Sequence, residues 1–113
     1  MIKILLALTL AISLNAAQKE KDYINKYCNG QKEHRVNNVR IDCLTDFVAY
    51  EFDFANKWYE AIGQSLYYGI LTQRESGIYL IVRNDKDYKF VGRAKLVCDV
   101  YEIKLIVIDE RKK

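Results

Sequence analysis

RIDCLTDFVAYEFDFANKWYEAIGQSLYYG, residues 40–69, holds the change of period that decides the fold. Over residues 47–54, Val48, Tyr50, Phe52 and Phe54 occupy alternate positions, with Phe47, Ala49, Glu51 and Asp53 between them. A repeat of two belongs to a β-strand with two distinct faces. Residues 40–44 read as a second strand, and Thr45-Asp46 as a two-residue turn that folds the two into a hairpin. Beyond Phe54 the spacing changes. Trp58, Ala61, Ile62, Ser65, Leu66, Gly69 and Ile70 recur at alternating steps of three and one, so residues 56–72 form a helix with one face on a sheet.

The flanking segments extend this hairpin–helix unit. Residues 77–83 (GIYLIVR) read as a buried strand and residues 104–109 (KLIVID) as a last one, followed by the charged tail 110–113. Between them residues 87–98 form a helix with Tyr88, Val91, Ala94, Lys95 and Cys98 along one side. On the N-terminal side, Tyr23, Ile24, Tyr27 and Cys28 mark an amphipathic helix over 18–29 that stops at Asn29-Gly30. Residues 33–36 add a short strand. The order is α-β-β-β-α-β-α-β. An early meander followed by crossover helices implies an α/β (α+β) fold, a mixed central sheet flanked by helices.

The chain opens as an export signal does. Lys3 precedes an apolar run from Ile4 to Leu14, interrupted only by Thr9 and Ser13, and small Ala16 and Ala17 precede the first charges. The run is shorter than the roughly 20 residues that span a bilayer. Residues 1–16 are therefore expected to be a cleaved signal peptide, and 17–113 a single domain without stable membrane anchoring, periplasmic or secreted. The net charge of +3 is too small to demand a nucleic-acid partner by itself. Cys28, Cys43 and Cys98 match no metal-site spacing. In an oxidising compartment two of the three can pair, leaving one free or buried.

Three acids collect around the hairpin. With a two-residue turn, Leu44 faces Phe47 and Arg40 faces Glu51, so Asp42 and Glu51 become diagonal neighbours roughly 7 Å apart. Asp53 lies on the same face, two positions on. Carboxylates this close resist joint ionisation unless a cation joins them. Hard divalent cations such as Mg²⁺ or Mn²⁺ take such oxygen ligands and fill their other places with water or phosphate. At 100° per residue, Lys57, Gln64 and Tyr68 form a polar stripe beside the apolar face of the helix. Lys57, four residues after Asp53, can look back at the carboxylates.

On these residues the chain resembles the PD-(D/E)xK, or restriction-endonuclease-like, nuclease superfamily. That family has an αβββαβ core, an acid that opens the hairpin, an E-x-K triplet on the next strand and, in some branches, QxxxY on the following helix. The resemblance puts Asp42 and Glu51 at the two acid positions, and Gln64 and Tyr68 match QxxxY as written. Asp53 stands where the family has lysine, and Lys57 is the candidate for a lysine that has moved to the helix. Glu33 corresponds to the further acid of some branches. The implied activity is metal-dependent hydrolysis of phosphodiester bonds in DNA, or RNA. Asp42, Glu51 and Asp53 would hold Mg²⁺ or Mn²⁺, with Lys57, Gln64 and Tyr68 completing the catalytic set.

Two other readings fit the same residues. The chain could be a nuclease-fold module that binds without catalysis, favoured by Asp53 at the lysine position, or a small secreted α+β protein of unrelated function. Arg40 and Glu51 would then be a plain cross-strand ion pair, Asp53 a helix cap, and Gln64 and Tyr68 a helix flank packed under a loop. His34 is the sole histidine and supports no zinc or acid–base site. Arg35, Arg40, Arg74, Arg83 and Arg93 can contact phosphate or simply face solvent. No Gly-rich phosphate loop or serine or cysteine triad is present.

Overall fold

A computed structural model of the chain describes residues 20–111. The expected signal peptide, 1–16, lies outside the described residues. Residues 20–27 are helical (α1). Strands β1 (Gln31–Val36), β2 (Val39–Leu44) and β3 (Val48–Phe54) follow, then a 3-10 turn (Ala55–Lys57) and α2 (Trp58–Thr72). Next come β4 (Glu75–Val82), a second 3-10 turn (Asp85–Tyr88), α3 (Lys89–Tyr101) and β5 (Lys104–Asp109). The five strands form one sheet in the order β1-β2-β3-β4-β5. β1 to β3 pair antiparallel, and β3 to β5 pair parallel. Hairpins make the first pairings; α2 and α3 are the crossovers that parallel neighbours require. The fold is α+β, with a mixed sheet carrying helices on it.

β3 is the centre: all seven of its residues are buried. Val48, Tyr50, Phe52 and Phe54 pack with Ile24 of α1, with Cys28 just after it, and with Tyr79, Ile81 and Ile108. On the other face Ala55, Trp58 and Ala61 meet Ile78, Leu80, Val82, Ala94 and Cys98. Phe52 and Tyr79 stack with centroids 4.3 Å apart. Gly77 is required beside this cluster, because a Cβ there would lie 2.5 Å from the Tyr50 ring. Cys28 and Cys43 form a disulfide that ties the residue following α1 to β2, and Cys98 stays free and buried.

Several expectations are corrected. Cys43 pairs with Tyr50 and Leu44 with Ala49, so the loop is longer than the two-residue turn read at Thr45-Asp46. Thr45 N–H donates to Val48 O, and Thr45 Oγ1 accepts from Phe47 and Val48 N–H groups. This side-chain turn absorbs Phe47, which is 77% exposed and outside β3. Ile70, assigned to the packed face of α2, is 78% exposed. Tyr68 is buried against Ile41, Leu44 and Ala49 instead. α2 ends one turn past Tyr68, where Gln73 turns left-handed at φ 56° and its N–H reaches back to Gly69 and Ile70. α3 begins at Lys89 instead of 87, after a 3-10 turn capped by Asn84 Oδ1 accepting from Asp87 N–H. Lys95, placed on its packed side, is exposed and pairs with Asp99 at 3.1 Å.

Candidate active site

The register change moves the acids. With Cys43 opposite Tyr50, Asp42 and Glu51 are the next residues along the two strands, in place of the Arg40–Glu51 pairing expected. The backbone ladder between β2 and β3 stops at Cys43. Beyond it, Phe52 N–H donates to Asp42 Oδ2 at 2.9 Å. A carboxylate thus stands in for the strand acceptor, and β2 and β3 part around it. The opening is a cleft of about 550 Å³. Asp42, Glu51, Asp53, Lys57, Gln64 and Tyr68 all line it. The sequence-predicted residues therefore share one cavity.

Three elements supply them. β2 and β3 place Asp42, Glu51 and Asp53 at the floor, where they are 4%, 7% and 6% exposed. The flank of α2 and its preceding turn supplies Lys57, Glu60, Gln64 and Tyr68, spaced by three and four so that they form one stripe. The Asn37-Asn38 turn, with φ of 47° and 67°, closes the β1–β2 hairpin at the rim. Arg35 and Arg40 are register partners across that hairpin and both line the cleft. Like charges set opposite each other are unfavourable unless an anion lies near. Here Glu33 offers one, 3.6 Å from Arg40. Arg40 therefore does not make the ion pair with Glu51 that a plain hairpin would have had. Glu33 is not among the lining residues of this cleft. It faces a smaller neighbouring one with Glu20 and Arg40.

Glu20 is the further acid that sequence reasoning missed, and it lines both clefts. Its signal was available: Glu20, Ile24 and Cys28 recur every four residues, so Glu20 continues the buried stripe of α1. Glu60 was missed too, although it stands between Lys57 and Gln64 on the same stripe. Of the five arginines considered for phosphate, Arg35 and Arg40 reach the cleft. Arg83 lies 3.7 Å over the Phe54 ring, Arg93 lies 5.4 Å from the Phe90 ring, and Arg74 donates to Asp46 O.

Electrostatics set this floor apart. Burial, reinforced by Asp42 and Asp53, pushes the Glu51 carboxyl up to about 10. Burial and the Glu20 charge push Asp53 up to about 7, while the Phe54 N–H bond and Lys57 oppose the rise. Asp42 and Glu20 are raised by burial as well. Glu51 and Asp42 are near enough for each to act on the proton affinity of the other. Glu51 Oε2 is buried with no hydrogen-bond partner. Asp53 Oδ1 accepts from Phe54 N–H at 3.0 Å, so Asp53 does not cap the helix start, where no side-chain cap bond is present. Buried carboxyls that repel one another, one with an orphaned oxygen, form an environment short of positive charge.

The donor set fits a hard divalent cation. Its oxygens are carboxylate, and Glu51 Oε2 is directed to no protein partner. Among the described residues no group of three or more His, Cys, Asp or Glu side chains forms a metal cage. Mg²⁺ is commonly held by one or two carboxylates with water and substrate phosphate, which this floor can supply. In comparisons with known proteins, the chain matches no family model, no curated protein and no solved structure.

Proposed function

We propose that this protein is a metal-dependent phosphodiesterase acting on DNA, or RNA, outside the cytoplasm. The observation that carries the reading is the buried, partnerless Glu51 Oε2 at the floor of a cleft shared with Asp42, Asp53 and Lys57. Asp42, Glu51 and Asp53 would hold Mg²⁺ or Mn²⁺. When bound, that ion would neutralise charge at the phosphoryl group and acidify a water.

The chain's own groups account for the rest. Arg35 and Arg40 at the rim hold the flanking phosphates of a chain laid across the cleft. Lys57, exposed at the start of α2, brings an ammonium to the scissile phosphate as charge builds on its non-bridging oxygens. The Gln64 amide orients the attacking water. Water oxygen forms the new bond to phosphorus, the bridging P–O bond breaks, and the water proton passes to the leaving oxygen through solvent. Tyr68, buried between α2 and the β2–β3 hairpin with its hydroxyl raised by burial and by Glu51, would stay protonated and offer an O–H to the carboxylate floor.

Export is part of the same proposal. It is supported by the apolar N-terminal run and by the Cys28–Cys43 disulfide, which is compatible with an oxidising compartment. Among the described residues no helix is long and apolar enough to cross a membrane. The test is incubation with plasmid and single-stranded DNA, and with RNA, in Mg²⁺ or Mn²⁺. Cleavage by wild type and its loss in Glu51→Ala is the expected result; equal cutting by both removes the assignment. A binding module without catalysis remains a second reading, favoured by Asp53 at the position of the family's lysine. It predicts nucleic-acid binding with no cleavage and no Mn²⁺-dependent thermal shift.

A further inference from the structure

A disulfide stands next to the cleft, and the proposed hydrolysis makes no use of it. Backbone pairing of β2 with β3 runs from Leu44–Ala49 to Cys43–Tyr50 and ends there. β1 stays paired with β2 from Gln31–Leu44 out to Val36–Val39. The β1–β2 hairpin therefore departs from the rest of the sheet at Cys43, and the next residue outward is Asp42. Where backbone pairing has ended, Phe52 N–H donates to Asp42 Oδ2 at 2.9 Å. Cys43, at the point of departure, is bonded to Cys28. Cys28 is itself fixed: its N–H donates to Ile24 O at 3.0 Å, and it shares a buried cluster with Ile24, Val48 and Tyr50. Cys98 lies in the cluster on the opposite face of the sheet, so it offers no alternative partner.

The same bond holds the end of α1. Residues 20–27 are helical, and a helix this short does not persist by itself. Among its described residues Ile24 alone is buried. Tyr23 stands edge-on to Phe54 at 6.4 Å, and Tyr27 lies 6.1 Å from Tyr79. Glu20, one turn before Ile24, reaches the cleft. We propose that the Cys28–Cys43 bond is a redox latch on this cleft. Closed, it holds Asp42 and Glu20 in place to receive a divalent cation. Open, the hairpin and α1 loosen from β3 and the cation is lost, while the parallel part of the sheet stays intact. This rests on the metal-dependent reading of the cleft given above. Closing the latch removes two electrons and two protons from the Cys28 and Cys43 thiols; a disulfide-bearing oxidant takes them by exchange and leaves as thiols. A dithiol reductant runs the exchange backwards. The chain is thus inert while dithiols keep it reduced and becomes competent on oxidation.

The experiment compares the oxidised protein with the double variant Cys28→Ala/Cys43→Ala, which stands for the open state with no reductant present to bind metal. Mn²⁺ affinity by calorimetry should fall about ten- to a hundredfold in the variant, as when the support of a metal ligand is removed. Exchange of the Phe52 amide, followed by NMR, should quicken on the order of tenfold or more, while amides of β4 stay protected. Nucleic-acid cleavage should fall with the metal affinity. Wild type reduced by a dithiol should show the same fast exchange at Phe52 and recover on reoxidation. A variant that binds Mn²⁺ as tightly as the oxidised protein overturns the proposal, and so does unchanged exchange at Phe52. Global unfolding of the variant, read from its far-ultraviolet spectrum, overturns it as well, because the bond would then hold the fold and not the site. If neither form cuts DNA or RNA while Mn²⁺ affinity and Phe52 exchange still differ, the proposed hydrolysis fails and the latch stands.

Discussion

Glu51→Gln should make the protein more stable, most strongly at alkaline pH. The Glu51 carboxyl is raised from an ordinary 4.5 to about 10 by burial and by Asp42 and Asp53. A raised folded-state value means that this group's contribution is fully present below pH 4.5 and is lost as pH climbs toward 10. At pH 8 the folded chain must keep a proton that the unfolded chain releases about 3.5 units lower. At 1.36 kcal/mol per unit this costs at most about 5 kcal/mol. Glutamine carries no proton to lose, and its amide can donate to Asp42 much as the protonated acid does. With about 1 kcal/mol moving the midpoint of a domain this size by roughly 4–8 °C, Glu51→Gln should melt on the order of 10 °C or more above wild type at pH 8. At pH 4.5 the two should agree within a few degrees. The assay is thermal unfolding by circular dichroism in EDTA at pH 4.5, 6 and 8, repeated with Mn²⁺. Mn²⁺ should raise the melting point of wild type, increasingly so at higher pH, because it replaces protons on the carboxylates. It should leave the variant nearly unmoved. A variant that melts below wild type at pH 8 in EDTA would refute the reasoning, since the acids on the floor would then not be repelling one another.

Three further outcomes follow from the same geometry. Lys57→Ala should lower cleavage on the order of a hundredfold or more with little change in melting point, since Lys57 is exposed; a steady-state assay beside a thermal melt checks both. Reducing the Cys28–Cys43 bond, which closes a 15-residue span, should cost about 3 kcal/mol, read as a lower denaturation midpoint in dithiothreitol. Cys98 is buried and its thiol is pushed up to about 11 by burial. It should therefore resist alkylation at pH 8 until denaturant is added, as mass spectrometry would reveal.

The elements that residues 40–109 form were legible because their periods are local. Alternation in VAYEFDF and the three-and-one steps from Trp58 need no partner to be recognised, and β5 begins and ends where the sequence reading put it. Departures occur where side chains compete with backbone. Thr45 ties off the β2–β3 turn through its hydroxyl, which lengthens the loop and shifts the register. Asn84 starts a 3-10 turn before α3. At Ile70 helical spacing alone suggested packing, yet the last turn of α2 runs past the sheet and leaves it exposed.

The site divides in the same way. Sequence by itself determined that Asp42, Glu51 and Asp53 belong to one hairpin and that Lys57, Gln64 and Tyr68 ride on one helix flank, because strand and helix geometry are properties of neighbouring residues. Only the tertiary structure decided that Cys43 lies across from Tyr50, bringing Asp42 and Glu51 together, that Cys28 joins Cys43, and that Glu20 and Glu60 complete the cleft. It also decided that Glu51 Oε2 is sealed from water without a partner. These depend on how segments distant along the chain close on one another. The energy of a buried charge is set by everything packed around it, and a list of neighbours along the chain does not contain that.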